Sequence, residues 1–307
     1  MSELYDIAIL GAGPAGISAA IYAVRGRLKA LWLDNQFVEG GQVLNTYEVD
    51  NYPGLPGIGG FELGMKMREH ADRLGVSFIN IEVRHLDIEE EGRIKAIYTD
   101  GEVYRARSVI FAMGAKHRLL GIPGEKELTG MGVSYCATCD GAFFKGRTVA
   151  VIGGGDAAAE DAIYLAKGCE HVYVIHRRNT MRAAAILQDQ LKGCENVTFL
   201  WDTEITRIVG EEHVEGLWMK HVKTGEERML DLDGVFIAVG MTPETEIVSK
   251  LLQTDETGYI VAGEDTATSQ PGIFAAGDIR TKALRQIITA AADGANAAIA
   301  AQKYLMS

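Results

Sequence analysis

"YDIAILGAGPAGISAAIYAVRG" (residues 5–26) and "RTVAVIGGGDAAAEDAIYLAKG" (residues 147–168) are two versions of one pattern. Each is a β-branched strand, a glycine turn and an alanine-rich helix. The first reads Gly11-x-Gly13-x-x-Gly16, with Pro14 and Ala15 opening the helix, and the second reads Gly153-x-Gly155-x-x-Ala158. The first glycine of such a loop permits the tight turn, the second lets backbone approach a pyrophosphate, and the third small residue lets helix and strand pack closely. Unbonded N–H groups at the helix start then hold the phosphates. One such loop is a weak signal. Two loops, each with its own strand before and helix after, predict two dinucleotide-binding domains.

Working outward, each copy reaches a second strand at the same distance. "LKALWLDN" places Asp34 eighteen residues after Gly16, and "HVYVIHRRNTMRA" places His176 eighteen residues after Ala158. The chemistry at the two positions is opposite. An acid accepts hydrogen bonds from a ribose 2′-hydroxyl and repels a 2′-phosphate. Arg177, Arg178 and Arg182, read here as the start of a helix, pair with a 2′-phosphate through forked, charge-assisted bonds. Site one is thus expected to take an unphosphorylated adenosine dinucleotide and site two NADPH, with Asp156, Ala157 and Glu160 flanking the second loop.

The duplication continues. "SVIFAMGAK" (108–116) and "GVFIAVGMTP" (234–243) are buried-type strands ending in a glycine turn. Ahead of each runs a stretch with Gly and Asp-Gly turns that reads as an antiparallel meander, 78–106 and 197–230. The remaining 65 or so residues are too few for a third domain of this kind. They are expected to return and complete the first. The fold class is α/β: two Rossmann-like three-layer domains, one inserted in the other. Residues 1–115 and 243–307 form the first and 116–242 the second, with hinges near Lys116 and Met241.

Between the two copies lies "SYCATCDGAFF" (134–144). A zinc site needs four ligands, and Cys169 and Cys194 form no second CxxC and no His pair has ligand spacing. A structural disulfide across two residues closes too small a loop to stabilise much. The redox reading of Cys136 and Cys139 is favoured, and Asp140 follows in the turn-type "CDG". Cys169 and Cys194 read as small buried apolar residues.

The net charge of −12 argues against non-specific nucleic-acid binding. No apolar run approaches the ~20 residues that span a bilayer, and no secretory signal is visible in "MSELYDIAIL". The expected location is the cytoplasm.

Taken in order, "GAGPAG", "EGGQ" (39–42), "EVDNYPG" (48–54), "CATCDG", "VIGGGDAAAE", "HRRNTMRA", "FAAGD" (274–278) and "RQIITAAADG" (285–294) resemble the low-molecular-weight bacterial thioredoxin reductases. The resemblance covers essentially the whole chain. It implies FAD at site one and NADPH at site two. It implies that Gly40, Gly41, Gln42 and Asn51 line the flavin, that Asp278 after Gly277 bonds its ribityl chain, and that Arg285 and Gln286 open the closing helix. It further implies that electrons pass from NADPH through FAD to the Cys136–Cys139 disulfide. Cys139 would face the flavin, Cys136 would attack a thioredoxin-like partner, and Asp140 would donate and accept a proton. A homodimer and a rotation of the NADPH domain between two orientations are implied as well. Two other readings share most of these motifs: a flavin-dependent dithiol oxidase, which does not need the arginines, and a flavin-bound redox sensor that no longer turns over. A ferredoxin–NADP reductase of the same fold would lack the cysteine pair.

Overall fold

The structure is a computed structural model, and it describes residues 3–35, 40–46 and 49–307. The chain divides into two compact units, Met1–Lys116 with Thr242–Ser307, and His117–Met241. Glu39 and Glu48, quoted in the motifs above, lie outside the described residues.

The first unit begins with β1 (Leu4–Leu10), α1 (Pro14–Arg25) and β2 (Ala30–Asp34). It continues through α2 (Gly60–Arg73), β3 (Phe78–Asn80), β4 (Val83–Glu89), β5 (Ile94–Thr99) and β6 (Val103–Phe111). β7 (Ala115–His117) then leads into the second unit. The second unit holds β8 (Val133–Ser134), the short helix α3 (Ala137–Asp140), β9 (Thr148–Ile152), α4 (Asp156–Ala166), β10 (His171–Ile175), α5 (Ala185–Lys192) and β11 (Val197–Leu200). β12 (Thr203–Val209), β13 (Gly216–His221), β14 (Glu227–Asp231) and β15 (Gly234–Ile237) follow. β16 (Met241–Pro243) carries the chain back to the first unit, which β17 (Ile273–Ala275) and α6 (Ile287–Met306) complete.

The sheets repeat one plan. In the first unit the order is β3-β2-β1-β6, all parallel, and β6 is long enough to serve two neighbours on its other edge. Its first half pairs antiparallel with β5, which pairs with β4. Its second half pairs parallel with β17. In the second unit the order β11-β10-β9-β15-β8 is parallel throughout, and β12-β13-β14 form a separate antiparallel meander. Each meander leads into the last central strand but is shorter than the patterning predicts, because Phe78–Asn80 and Val197–Leu200 pair parallel with β2 and β10 instead. The strands at the sheet centres are apolar on both sides because helices or meanders cover both faces. Ile7, Ile9, Leu31, Leu33 and Phe111 are fully buried in one unit, and Val149, Val151, Val174 and Phe236 in the other.

The residues after Pro243 complete the first unit, and α6 lies along α1. Both helices present small residues at the contact, Ala15, Ala19 and Ala23 against Gly294, Ala297 and Ala301. A Cβ at Gly294 would sit 2.0 Å from the Ala15 carbonyl oxygen, so the two backbones meet there with no room for a side chain. This approach brings the "RQIITAAADG" motif to the first glycine loop, over 270 residues away in the chain.

Candidate active site

The first glycine loop is built by steric necessity. Gly11 has φ +112°, and a Cβ there would lie 2.3 Å from the Ala112 carbonyl oxygen. A Cβ at Gly16 would lie 1.8 Å from the Gly11 oxygen, the same carbonyl that accepts the Trp32 indole N–H at 2.9 Å. Gly13 precedes α1 without a side-chain cap and Pro14 occupies its first turn. The amides of that turn, including those of Ala15 and Gly16, therefore have no intrahelical acceptor. Gly40 donates to the Ala12 oxygen at 2.8 Å, and a Cβ at Gly41 would meet the Gly13 Cα at 3.2 Å. Two glycine backbones thus face each other across the helix start. Asp34 ends β2 as expected, and its carboxylate accepts the N–H groups of Ala12 (2.5 Å) and Asn35 (2.7 Å). A carboxylate is the acceptor-only group that a ribose hydroxyl requires.

The return segment closes the same site. Gly277 (φ +78°) leaves its would-be Cβ 2.9 Å from Ala15 Cβ, which sets Asp278 beside the start of α1. The turn is held by Asp293 of α6, which is almost fully buried. Its carboxylate accepts from Gly277 N–H (3.0 Å), Arg280 (2.7 and 2.8 Å) and Lys282 (2.9 Å). Burial pushes the Asp293 carboxyl up, but those two cations outweigh it and hold it below the usual carboxylate range. Asp278 is in the opposite state. Burial pushes its carboxyl up against the pull of Lys282 and Arg285. Its Oδ1 is buried with no hydrogen-bond partner among the described residues, and so is Nε of Arg285, whose guanidinium lies 4.1 Å over the Tyr259 ring. Buried polar atoms are almost always satisfied. An orphaned acceptor and an orphaned donor in one wall, beside unbonded helix amides, fit a ligand with hydroxyls and phosphates. FAD meets that requirement.

Asn51 donates to the Gln286 side-chain oxygen at 2.9 Å, joining two motifs 235 residues apart. Gln286 also forms a capping box with Thr289 at the start of α6. The Gln42 amide donates to the Ala115 carbonyl.

The second loop has the same logic and a different lining. A Cβ at Gly153 would lie 2.4 Å from the Ala238 oxygen and 2.7 Å from the Cβ of buried Ala158. Gly155 precedes α4 with open space before it, and Ala157 and Glu160 are exposed on that helix. Gly154 lies under the imidazole of His176, where a Cβ would come within 2.3 Å of the ring. His176 is buried, with Nε2 unpartnered among the described residues. Burial first, then Arg178, Arg177 and Arg182, lower its pKa, so the ring is neutral at physiological pH. The positive charge beside this loop is therefore that of the arginines. All three are exposed, and none makes an ion pair among the described residues.

The arginine segment departs from the helix start read from the sequence. Residues 177–184 form a loop, and α5 begins only at Ala185. Long-range bonds override the local helix preference of "MRAAAI". Arg182 N–H donates to the Gly154 oxygen at 2.6 Å, and Ala184 N–H to the Asp156 carboxylate at 2.7 Å. These two bonds stitch the arginine loop to the glycine loop, so Asp156 acts as a clasp.

Cys136 and Cys139 are joined as a disulfide, with Cα atoms 5.3 Å apart. Cys136 caps α3, and the backbone oxygen of Cys136 accepts from Asp140 N–H at 3.1 Å. Ser134 organises the approach. Its hydroxyl accepts the Cys136 N–H at 3.1 Å and donates to Asp140 Oδ2 at 2.6 Å. The other Asp140 oxygen is buried with no partner among the described residues. Burial raises the Asp140 pKa and the Ser134 hydroxyl opposes it, the direction expected of a proton-transfer group. The disulfide and the second glycine loop belong to the same unit.

Cys169 is buried as expected, and burial pushes its thiol up to about 11. Cys194 is a correction. It is only half-buried, just beyond the end of α5, where its thiol donates to the Gln190 carbonyl at 3.5 Å. Ser134 and Asp293 were not singled out from the sequence. For Asp293 the signal was a lone acid inside an alanine-rich helix.

A family model described as pyridine nucleotide-disulphide oxidoreductase matches residues 5–294. Thioredoxin reductase of Listeria monocytogenes serovar 1/2a (strain ATCC BAA-679 / EGD-e) is 45% identical, over 99% of this chain and 94% of its own length. Thioredoxin reductase of Bacillus subtilis (strain 168) is 44% identical, over 99% and 96%. The crystal structure of thioredoxin reductase from Streptococcus pyogenes MGAS5005 superposes with a TM-score of 0.94 at 44% identity, covering 100% of this chain and 99% of that one. A match that runs through both glycine loops and the cysteine pair leaves one assignment: the chain belongs to the pyridine nucleotide-disulphide oxidoreductase family.

Proposed function

We propose that this protein is an FAD-dependent, NADPH-consuming reductase of thioredoxin or a thioredoxin-like protein. The observation that carries the reading is the Cys136–Cys139 disulfide, set beside a carboxyl of raised pKa on the unit that also bears the arginine-flanked glycine loop.

In this reading the first unit holds FAD. The amides of the α1 start take the pyrophosphate, Asp34 the adenosine ribose, Asp278 the ribityl hydroxyls, and Gly40, Gly41, Gln42, Asn51, Arg285 and Gln286 the remaining wall. The second unit holds NADPH on Gly153, Gly155 and the α4 start, with Arg177, Arg178 and Arg182 on the 2′-phosphate. When bound, the flavin supplies a two-electron relay between nicotinamide and disulfide. Asp140 holds and returns a proton as the sulfurs change state. The Cys136 thiolate then attacks a disulfide sulfur of the partner, displacing one partner thiolate. Cys139 attacks Cys136 in turn, remaking the Cys136–Cys139 bond and releasing the partner as a dithiol.

Nicotinamide and cysteine pair must each reach the flavin, and both ride on the second unit. We therefore infer that the two take turns by movement of that unit about the crossings near Lys116 and Met241. A homodimer in the cytoplasm is part of the same reading, supported by the resemblance. Among the described residues no helix is long and apolar enough to cross a membrane.

The test is direct. Anaerobic NADPH added to the purified yellow protein should expose two thiols per chain, and peptide mapping should place both at Cys136 and Cys139. Flavin bleaching without new thiols would overturn the assignment.

A further inference from the structure

Between the entry to the second unit and the cysteine pair, three side chains that the proposed reaction leaves unused meet in one cluster: His117, Glu125 and Tyr135. His117 ends β7 and is the first residue of the unit, and Tyr135 directly precedes Cys136. Glu125 is only 1% exposed. Burying a carboxylate is costly unless it is hydrogen-bonded, and here three donors share it. Oε1 accepts the Leu120 N–H at 2.9 Å and the Tyr135 hydroxyl at 3.0 Å, and Oε2 accepts the Gly121 N–H at 2.7 Å. The Glu125 backbone is held as well, since its carbonyl accepts the Thr129 hydroxyl at 2.8 Å.

Tyr135 is the member that reaches the cysteine segment. Sheet pairing holds that segment as far as Ser134, where β8 ends. Tyr135 comes next, and its side chain continues the anchoring where the sheet stops. It packs against the core that includes Val133, Ile152, Val235 and Ile237. One ring face stacks on the His117 imidazole, with centroids 5.0 Å apart and planes 25° apart. Burial lowers the His117 pKa, and burial, then Glu125, push the Tyr135 phenol up. Both rings are therefore neutral at neutral pH, and the phenol keeps the proton it donates.

We propose that Tyr135, bonded to Glu125 and stacked on His117, is a positioning residue for the redox pair, holding the Cys136 backbone where its sulfur stays within bonding reach of Cys139. This rests on Cys136 and Cys139 being the redox pair of the proposed function. The sign of the effect follows from which redox state the anchor restrains. In the disulfide the S–S bond itself keeps Cys136 beside Cys139. In the dithiol that restraint is gone, and the anchor is what limits Cys136. Losing the anchor frees the dithiol more than the disulfide, so the disulfide becomes easier to reduce.

The test needs neither NADPH nor a protein acceptor. The full-length holoenzyme is equilibrated anaerobically with mixtures of reduced and oxidised dithiothreitol. Each dithiothreitol gives two electrons and two protons to the protein, closing its own S–S bond as the Cys136–Cys139 bond opens. Acid quenching, alkylation and mass spectrometry give the dithiol fraction at each mixture. Tyr135→Phe keeps the ring on His117 and removes the phenol. It should move the equilibrium constant toward the dithiol by about three- to tenfold, part of what one hydrogen bond to a charged group is worth. Glu125→Gln should move it the same way, and the double variant should move it by less than the two single effects multiplied, because both act through one bond. A role confined to fold stability would move the unfolding midpoint and leave this constant alone.

An unchanged constant in Tyr135→Phe, or a shift toward the disulfide, overturns the proposal. Fully multiplicative single effects overturn it too. If Tyr135→Phe fails to fold, amide hydrogen exchange of the reduced wild-type enzyme decides. The Leu120, Gly121 and Cys136 amides should then share one opening free energy, and a Cys136 amide that opens independently overturns the proposal. Failure of thioredoxin reduction would leave these measurements unchanged, so the two readings fail separately.

Discussion

Cys136→Ser abolishes NADPH-driven reduction of oxidised thioredoxin, by more than about a thousandfold, and leaves FAD bound. Two features set this expectation. The sulfur is the nucleophile of the exchange step, and a hydroxyl in its place neither ionises near neutral pH nor forms a disulfide. The residues assigned to hold the flavin all lie in the other compact unit, so the substitution removes none of them. The flavin-to-protein absorbance ratio and NADPH consumption, measured on one preparation, give both halves of the answer. Loss of flavin would make the cysteine structural. Unchanged turnover would remove it from the electron path.

The second large effect concerns the choice of nicotinamide. Replacing Arg177, Arg178 and Arg182 together by Ala should raise the KM for NADPH by about 10–100-fold, the equivalent of one or two lost charge-assisted bonds. The KM for NADH should change little, so the preference should collapse. The three side chains are exposed and make no ion pair among the described residues, and the Arg182 anchor to Gly154 is a backbone bond that Ala preserves. The fold should therefore survive. Equal losses with both nucleotides would show that the arginines act on something other than the 2′-phosphate.

Features resting on close backbone approach were legible from residue type alone. Gly11, Gly16 and Gly153 have no space for a Cβ, and their spacing therefore announces the turn. The duplicated meanders were legible because their turns carry Gly and Asp-Gly. Features that depend on distant partners were not. "MRAAAI" favours a helix locally, yet the amides of Arg182 and Ala184 are claimed by Gly154 and Asp156. Asp293 sits in an alanine-rich helix, where a lone acid reads as a solvated face. It proves to hold the Gly277–Lys282 turn. Asn51 stands before Tyr52-Pro53-Gly54, where its own neighbourhood shows only a turn, and its bond to Gln286 joins elements that only the folded chain brings together.

The same contrast bears on the choice among readings that share the glycine loops and the cysteine pair. An oxidase would send electrons to oxygen and a sensor would stop at the disulfide. A reductase must hand them to another protein. NADPH oxidation, measured with oxidised thioredoxin either present or omitted, separates them. The expected result is NADPH loss that depends on thioredoxin, with one NADPH consumed per thioredoxin disulfide reduced. NADPH loss at the same rate with oxygen alone, or none with any thioredoxin offered, would contradict it.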